Sequence, residues 1–499
     1  MNISSIITEN AKFHPHYNAI ICGDDGREYN WMELDELINK FGNSLKKMGV
    51  KKGDVVAIYL PNSPEFIITY FAVIRIGAIV LPFNIQFKTC EIFTILNNSG
   101  AKVLVGASEE VEQYVIPKKF LFTSLEKIIT VGKPINDTFD FYAMITDSSP
   151  ELETVDCNPN DLACLIYTSG TCGTPKGAMI SHGNLFANGN YHLAILHMND
   201  QDLLLSGCPY CHIFFLSSVF GPFMCGAGIV TMKRFKAENA LDLMSKYKVT
   251  HFAGVPTMFI YLLNKYDRNK WNLGQLRYML SGGAGMPLDY IKEIEANFGH
   301  IFCEAYGITE ATSIVAYNRL GHNRNGSVGL PPKGVEVKIV DPKGRQLPEG
   351  EIGEILVKGP SVFQGYWRMP EATAEAFDGE WYHTGDLGRL DKDGYLYIVD
   401  RLKHMILSGG YNVYPSEVEG IIYRNPKVKE VAVVGIEDSA LFQVPKAYVC
   451  LNDNMEMTEQ ELIDFCKQRM AYYKVPRQVE FVAELPKNST GKIIKRLLE

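Results

Sequence analysis

FIITYFAVIRIGAIVLPF, residues Phe66–Phe83, is the one run in the chain apolar enough to be weighed as a membrane span. Arg75 stands near its centre, and Gly77 and Pro82 interrupt its second half. A guanidinium at mid-bilayer costs of order 3 kcal/mol or more, and a span needs about 20 unbroken apolar residues. The run therefore reads as a buried helix leading into a strand, and no transmembrane segment is expected.

Working outward, the same texture repeats. VVAIYLP (Val55–Pro61) and AIVLPF (Ala78–Phe83) are continuous apolar runs of the kind that form strands covered on both faces. Ala240, Leu243, Met244 and Tyr247 fall at i, i+3, i+4 and i+7, placing a helix just before the strand-like VTHFAGV. Alternation of this kind up to about residue 400 predicts α/β layers. Within it, the Gly- and Pro-rich stretch SVGLPPKGVEVKIVDPKGRQLPEGEIGEILVKG predicts a β-rich region with short turns. After DGYLYIVDRLKHMILSGGYN, which ends at Asn412, the texture changes to short strands, EVAVVGI and KAYVCL. One helix follows, opened by the capping box Thr458-x-x-Glu461 and striped by Leu462, Phe465 and Cys466. The expected fold class is α/β: a large N-terminal domain of layered α/β subdomains plus a β-rich region, residues 1–401, and a small α+β domain, residues 402–499.

The 499 residues carry a formal charge of −8, which speaks against a nucleic-acid partner. The N-terminal residues lack the basic and apolar regions of a secretory signal. Eleven cysteines, an odd number, fit reduced thiols in a cytoplasmic protein. CPYCH, Cys208–His212, matches the C-x-x-C-H of haem attachment and the spacing of a redox pair. Without an export signal or a second C-x-x-C it reads as a pocket-lining segment that happens to hold two cysteines.

The chemistry gathers elsewhere. YTSGTCGTPKG (Tyr167–Gly177) combines glycines, hydroxyls and one lysine, the makings of a phosphate loop, although Lys176 lies between Pro175 and Gly177 and so does not fit the common P-loop pattern. It is followed in order by SGGAG (Ser281–Gly285), EAYGITE (Glu304–Glu310), YHTGD (Tyr382–Asp386), DRLKHMILSGGYNVYPSEVE from Asp400, and PKNSTGK (Pro486–Lys492). Six motifs in this order resemble the acyl-adenylate-forming superfamily: acyl-CoA synthetases, aryl-CoA ligases, beetle luciferases and the adenylation domains of peptide synthetases. The resemblance covers nearly the whole chain.

It implies ATP, Mg²⁺ and coenzyme A as the small-molecule partners of a carboxylic acid, which attacks the α-phosphate to give an acyl adenylate and pyrophosphate before a thiol displaces AMP. Crowded anions must be neutralised for that step. The resemblance implies that Thr168, Ser169, Gly170, Thr171, Cys172, Gly173 and Thr174 wrap the β- and γ-phosphates beside Lys176. It further implies that Glu310 holds Mg²⁺, that Thr309 contacts the α-phosphate, and that the adenine lies between Gly283, Ala284 and Gly285 on one side and Glu304, Ala305, Tyr306 and Gly307 on the other. Asp386, assisted by Arg401, matches the ribose acid. Lys492 matches the mobile catalytic lysine, Lys403 the hinge of a mobile small domain, and Gly409 and Gly410 the coenzyme A channel. Cys172 stands where threonine is common, Gly285 where proline is frequent, and Phe442-Gln443 where Gly-Glu is common.

The acyl pocket is expected around His212, a gating residue by resemblance, with Phe214, Phe215, Gly283 and Gly307. No acidic residue lies between His212 and Phe223, so an ammonium-bearing acid would go unpaired. The expected substrate is a hydrophobic acid, foremost a medium- or long-chain fatty acid, with aryl and alicyclic acids as rivals and loading of a carrier protein as an alternative. A homodimer is compatible with all of this.

Overall fold

The computed structural model describes residues 1–168, 175–487 and 493–498. It contains two compact units: Met1–Asn323 with Pro331–Glu336 and Lys358–Tyr382, and Arg324–Leu330 with Val337–Val357 and His383–Glu499.

The first unit is built on two sheets. One has seven strands in the order Phe139–Asp140, Lys127–Val131, Val103–Ala107, Val55–Tyr59, Ile79–Pro82, Leu162–Thr168, Lys176–Ser181. The other has eight, in the order Ser313–Tyr317, Phe302–Ile308, Tyr278–Gly282, His251–Gly254, Leu203–Ser206, Gly228–Thr231, Asn18–Cys22, Glu28–Asn30. Pairing is parallel through the middle of each, with antiparallel strands at edges. The strand Val55–Tyr59 shows why: Val56 and Ile58 face one core and Ala57 and Tyr59 another, so both faces are apolar and both must be covered.

The helix Pro64–Arg75 fills the layer between the sheets, every residue buried. Its core joins Val56, Val80 and Ile166 of one sheet to Ile20 and Ile229 of the other. Ser63 caps it by accepting the Phe66 amide, Pro64 starts it, and Gly77 at φ +73° ends it. Twelve residues reach only about 18 Å, and the strand Ile79–Pro82 follows as the sequence predicts. Arg75 is 1% exposed, and its guanidinium meets Asp35 Oδ1 at 2.8 Å, Asn39 Oδ1 at 2.6 Å and Thr8 Oγ1 at 3.1 Å. Among the described residues no helix is long and apolar enough to cross a membrane.

The second unit is smaller and richer in antiparallel pairing. Residues 386–390 pair with Leu396–Arg401. A further sheet runs Tyr411–Val413, Ile406–Ser408, Phe442–Leu451, Val428–Asp438, with Gln478–Phe481 added in parallel to Phe442–Leu451. Helices Pro415–Ile422 and Glu459–Lys467 cover it through Val418, Ile422, Leu462 and Cys466. The Thr458–Glu461 capping box is formed in both directions. Phe442, where the sequence departs from a common glycine, adopts φ +71° and is exposed. The preceding turn is held by Asp438, which accepts the amides of Ala440 and Leu441.

Removing Asp35 alone leaves the Arg75 charge buried without its carboxylate. Asp35→Ala should therefore cost about 3 kcal/mol, whereas the double change Asp35→Leu with Arg75→Met should cost clearly less. Thermal unfolding of the three proteins tests this, and equal losses in the single and double variants would contradict it.

Candidate functional site

The parallel strands of the eight-stranded sheet end side by side, and several of the predicted residues stand at those carboxyl ends, where open α/β sheets take their ligands. Cys208–His212 follow Leu203–Ser206, the turn at 283–285 follows Tyr278–Gly282, and Tyr306 and Gly307 lie near the end of Phe302–Ile308. The register sets Ser281 opposite Glu304 and Gly282 opposite Ala305.

After Ile308 the chain makes one 3-10 turn, Thr309–Ala311, and returns antiparallel as Ser313–Tyr317. The reversal is tight: Thr312 and Ser313 have φ of +52° and +86°. A Cβ on Gly307 would lie 1.7 Å from the Ser313 carbonyl oxygen, so only glycine fits there. Thr309 is thereby buried, with Glu310 beside it. Gly283 takes φ +87°, while a Cβ on Gly285 would meet nothing within 4 Å, so this turn has room for a side chain at 285.

Glu304 is buried to 7% exposure, and its Oε1 accepts the Met286 amide at 2.9 Å, tying the glycine turn to the neighbouring strand. Burial pushes its carboxyl up to about 7, with the Met286 hydrogen bond acting the other way.

Glu310 and Lys176 are brought to one side chain that the motifs did not single out, Tyr366. Its hydroxyl donates to Glu310 Oε1 at 3.1 Å and lies 3.2 Å from the Tyr382 hydroxyl. The Lys176 ammonium sits 4.9 Å from the centroid of its ring. Burial and then the Glu310 charge hold the Tyr366 phenol protonated. Residues 363–367 run beside the strand Lys176–Ser181: the Trp367 amide donates to Gly177, Gln364 to Met179, and Met179 back to Gly365. The Phe363 amide donates to the Glu310 carbonyl at 2.8 Å. The only sequence signal was the aromatic-glycine run FQGYW, which is unremarkable without its partners.

In the CPYCH segment Cys208 and Cys211 are free thiols, both pushed up to about 12 by burial, a setting that disfavours the reactive thiolate. Asn62 fixes the segment, donating to the Cys208 carbonyl and accepting the Tyr210 amide. His212 Nδ1 accepts the Phe214 amide at 3.3 Å. The Phe214 ring lies 3.2 Å from where a Cβ on Gly282 would be, at the end of the strand leading to the glycine turn. Phe215, expected in the acyl pocket, packs against Tyr70 at 4.5 Å, Phe66 and Tyr210.

In the second unit, Asp386 and Arg401 are cross-strand partners, with Arg401 Nε 2.7 Å from Asp386 Oδ1. Lys403 lies in the single 3-10 turn Leu402–His404 between two strands. Gly409 and Gly410 form the two-residue hairpin between Ser408 and Tyr411, with φ of +57° and +87°, the glycine-favouring form of such a turn. Residues 169–174 of the phosphate loop, and Lys492, lie outside the described residues. Their flanks are described: Lys487 pairs with Ile493 in a β-bridge, and Lys495 Nζ meets Glu419 Oε1 at 2.7 Å. Among the described residues no group of three or more His, Cys, Asp or Glu side chains is placed to hold a metal. A Mg²⁺ bound to nucleotide asks for less, one or two carboxylates beside phosphate and water oxygens, and Glu310 offers such a donor.

Comparison with known proteins matches residues 7–367 to the AMP-binding enzyme family and residues 417–492 to the AMP-binding enzyme C-terminal domain. The chain is 36% identical over 488 residues to a feruloyl-CoA synthase of Amycolatopsis sp., covering 97% of this chain and 96% of that one. It is 32% identical over 526 residues to a long-chain-fatty-acid–CoA ligase of Bacillus subtilis, covering 99% and 94%. Among solved structures it is similar to the anthranilate CoA ligase AuaEII in complex with anthranoyl-AMP, with a TM-score of 0.93, 30% identity, and coverage of 100% and 96%.

Glu304 makes a pH-dependent prediction. Unfolded, its carboxyl ionises around the ordinary value of 4.5; folded, it resists until about 7. The folded state therefore holds more protons in that window, and its stability falls as pH rises through it. Glu304→Gln keeps an acceptor for Met286 but cannot ionise. It should leave stability unchanged below about pH 4.5 and raise it by of order 2–3 kcal/mol at pH 8. Unfolding curves across this range decide, and a pH-independent difference would contradict the assignment.

Proposed function

Because the chain belongs to the AMP-binding enzyme family in both its larger and its C-terminal parts, we propose that it activates a hydrophobic carboxylic acid with ATP and passes the acyl group to coenzyme A. It is an acid–thiol ligase of the AMP-forming CoA ligase type, working through an acyl adenylate. The observation that carries the site reading is the convergence of Lys176 and Glu310 on Tyr366, next to the Thr309 turn. A lysine and a carboxylate so placed suit a triphosphate and its cation.

In this reading Lys176 and the loop at 169–174 bind the β- and γ-phosphates, and Thr309 orients the α-phosphate. The turn at 283–285 and Tyr306 enclose the adenine, and Asp386 with Arg401 takes the ribose hydroxyls. Glu310 would hold Mg²⁺, which when bound neutralises phosphate charge. Lys492 brings a positive charge to the carboxylate and α-phosphate as they meet. The functional domains are residues 1–401 and 402–499, with Lys403 as the pivot that exchanges Lys492 for the Gly409–Gly410 hairpin. The position of Lys403 in a lone turn between strands supports this.

The acid is read as apolar because the segment from His212 to Phe223 carries no acidic side chain, and Phe214 lines the approach to Gly282. A medium- or long-chain fatty acid is the first choice. An aryl acid is the second, favoured by the likeness to the feruloyl-CoA synthase.

A pyrophosphate-release screen over acids of graded chain length and ring content, with and without coenzyme A, tests the reading. It should give turnover with apolar acids and none with amino acids. Lys492→Ala should lower pyrophosphate formation by about 10²-fold or more and largely spare thioester formation from supplied acyl adenylate. Equal loss in both half-reactions would refute the role given to Lys492.

A further inference from the structure

Tyr366 is held more firmly than space-filling requires. Its main chain is bridged to Ala178, and its amide donates to Thr373 Oγ1 at 2.9 Å, which in turn donates to the Met369 carbonyl. Gly365 turns at φ +116°, with Thr373 so close that an added Cβ would lie 2.5 Å from its Cγ2. The ring is 7% exposed and packed edge-on against Phe363 at 4.9 Å. Phe363 itself packs on Tyr382 at 5.3 Å, and its amide holds the Glu310 carbonyl. Backbone, ring and hydroxyl are thus each fixed by a different neighbour. Two functions meet charged side chains: a ring face under the Lys176 ammonium and a hydroxyl on the Glu310 carboxylate.

We infer that Tyr366 is the positioning residue of the phosphate end of the site, setting Lys176 through its ring face and Glu310 through its hydroxyl. The inference rests on the roles proposed above for Lys176 and Glu310. The physical argument concerns separation. A lysine side chain has four rotatable bonds and a strong attraction to any nearby carboxylate. An ammonium paired with Glu310 would be drawn away from phosphate, and the carboxylate from its cation. A cation held over an aromatic face keeps its charge available, since the ring offers only its quadrupole. A carboxylate that accepts a hydrogen bond from a hydroxyl is oriented without being neutralised. One rigid side chain with two torsions supplies both, and at small entropic cost on binding.

The two contacts separate by mutation. Tyr366→Phe keeps the ring and removes the hydroxyl; Tyr366→Leu removes both. Calorimetric binding of ATP and of AMP, in the absence of acid and with or without Mg²⁺, reads them apart. Tyr366→Leu should bind ATP about five- to tenfold more weakly than wild type, with AMP within about twofold. Tyr366→Phe should bind ATP like wild type without Mg²⁺ but lose about threefold or more of the gain Mg²⁺ confers. Both should slow pyrophosphate formation and spare the thioester step from supplied acyl adenylate.

Parallel weakening of AMP and ATP would show a general packing role and overturn the inference. So would wild-type ATP binding by both variants with and without Mg²⁺. If Tyr366→Leu does not fold, the Tyr366→Phe pattern alone decides. Lys176→Ala and Glu310→Gln, measured alongside, separate the two levels of the argument. If neither weakens ATP binding, the phosphate-site reading itself fails and takes the inference with it. If both do while the Tyr366 variants do not, only the inference fails.

Discussion

The hydrogen bond from the Phe363 amide to the Glu310 carbonyl fixes the acidic turn of the site against the strand that carries Lys176. That turn is strained on its own: Thr312 and Ser313 both take positive φ, at a cost of order 1–3 kcal/mol each. It also lies at the margin of its sheet, since Ser313–Tyr317 is the terminal strand of eight. Lys176–Ser181 is likewise the terminal strand of seven. Residues 363–367 cover the open edge of the second and tether the turn at the first. A sheet edge left bare exposes unpaired amides and carbonyls; here the strip that covers one also delivers Tyr366 to the site.

How much of this was legible in the sequence depended on how local each determinant is. The helix within Phe66–Phe83 could be read because Arg75 and Gly77 forbid a span, and the structure gives the reason for the arginine, a pocket of Asp35, Asn39 and Thr8. The Thr458–Glu461 box could be read because both of its hydrogen bonds close within one turn. The glycines at 307 and 409–410 were legible as motif members, and their physical demands, a 1.7 Å clash and two positive φ values, appear only with coordinates.

Tyr366 was not legible. Its partners Lys176, Ala178 and Glu310 are remote in the chain, it belongs to no periodic pattern, and a lone aromatic most often means core. Phe215, an aromatic in a motif-bearing segment, packs against Tyr70 and Phe66, contacts equally remote in the chain. Alternation along a short irregular segment does not say which ring turns inward. Adjacent phenylalanines, 214 and 215, therefore divide between two cores, Phe214 beside Gly282 and Phe215 in the core of the helix Pro64–Arg75.

Within the second unit, the segments proposed for the two half-reactions are fastened to the same framework. Lys495 is paired with Glu419, whose Oε1 also accepts the Val433 amide at 2.7 Å, and Lys487 pairs with Glu430 on the same strand as Val433. The hairpin at Gly409–Gly410 joins two strands of that sheet and is tied to the neighbouring strand turn by the Gly409 amide on the Leu441 carbonyl. Burial raises the Glu419 carboxyl while Lys495 and the Val433 amide draw it down, so both contacts favour the charged form that pairs with Lys495. The flanks of Lys492 and the glycine hairpin are thus parts of one body. The pivot proposed at Lys403 has need of such a body, since it must carry both segments together.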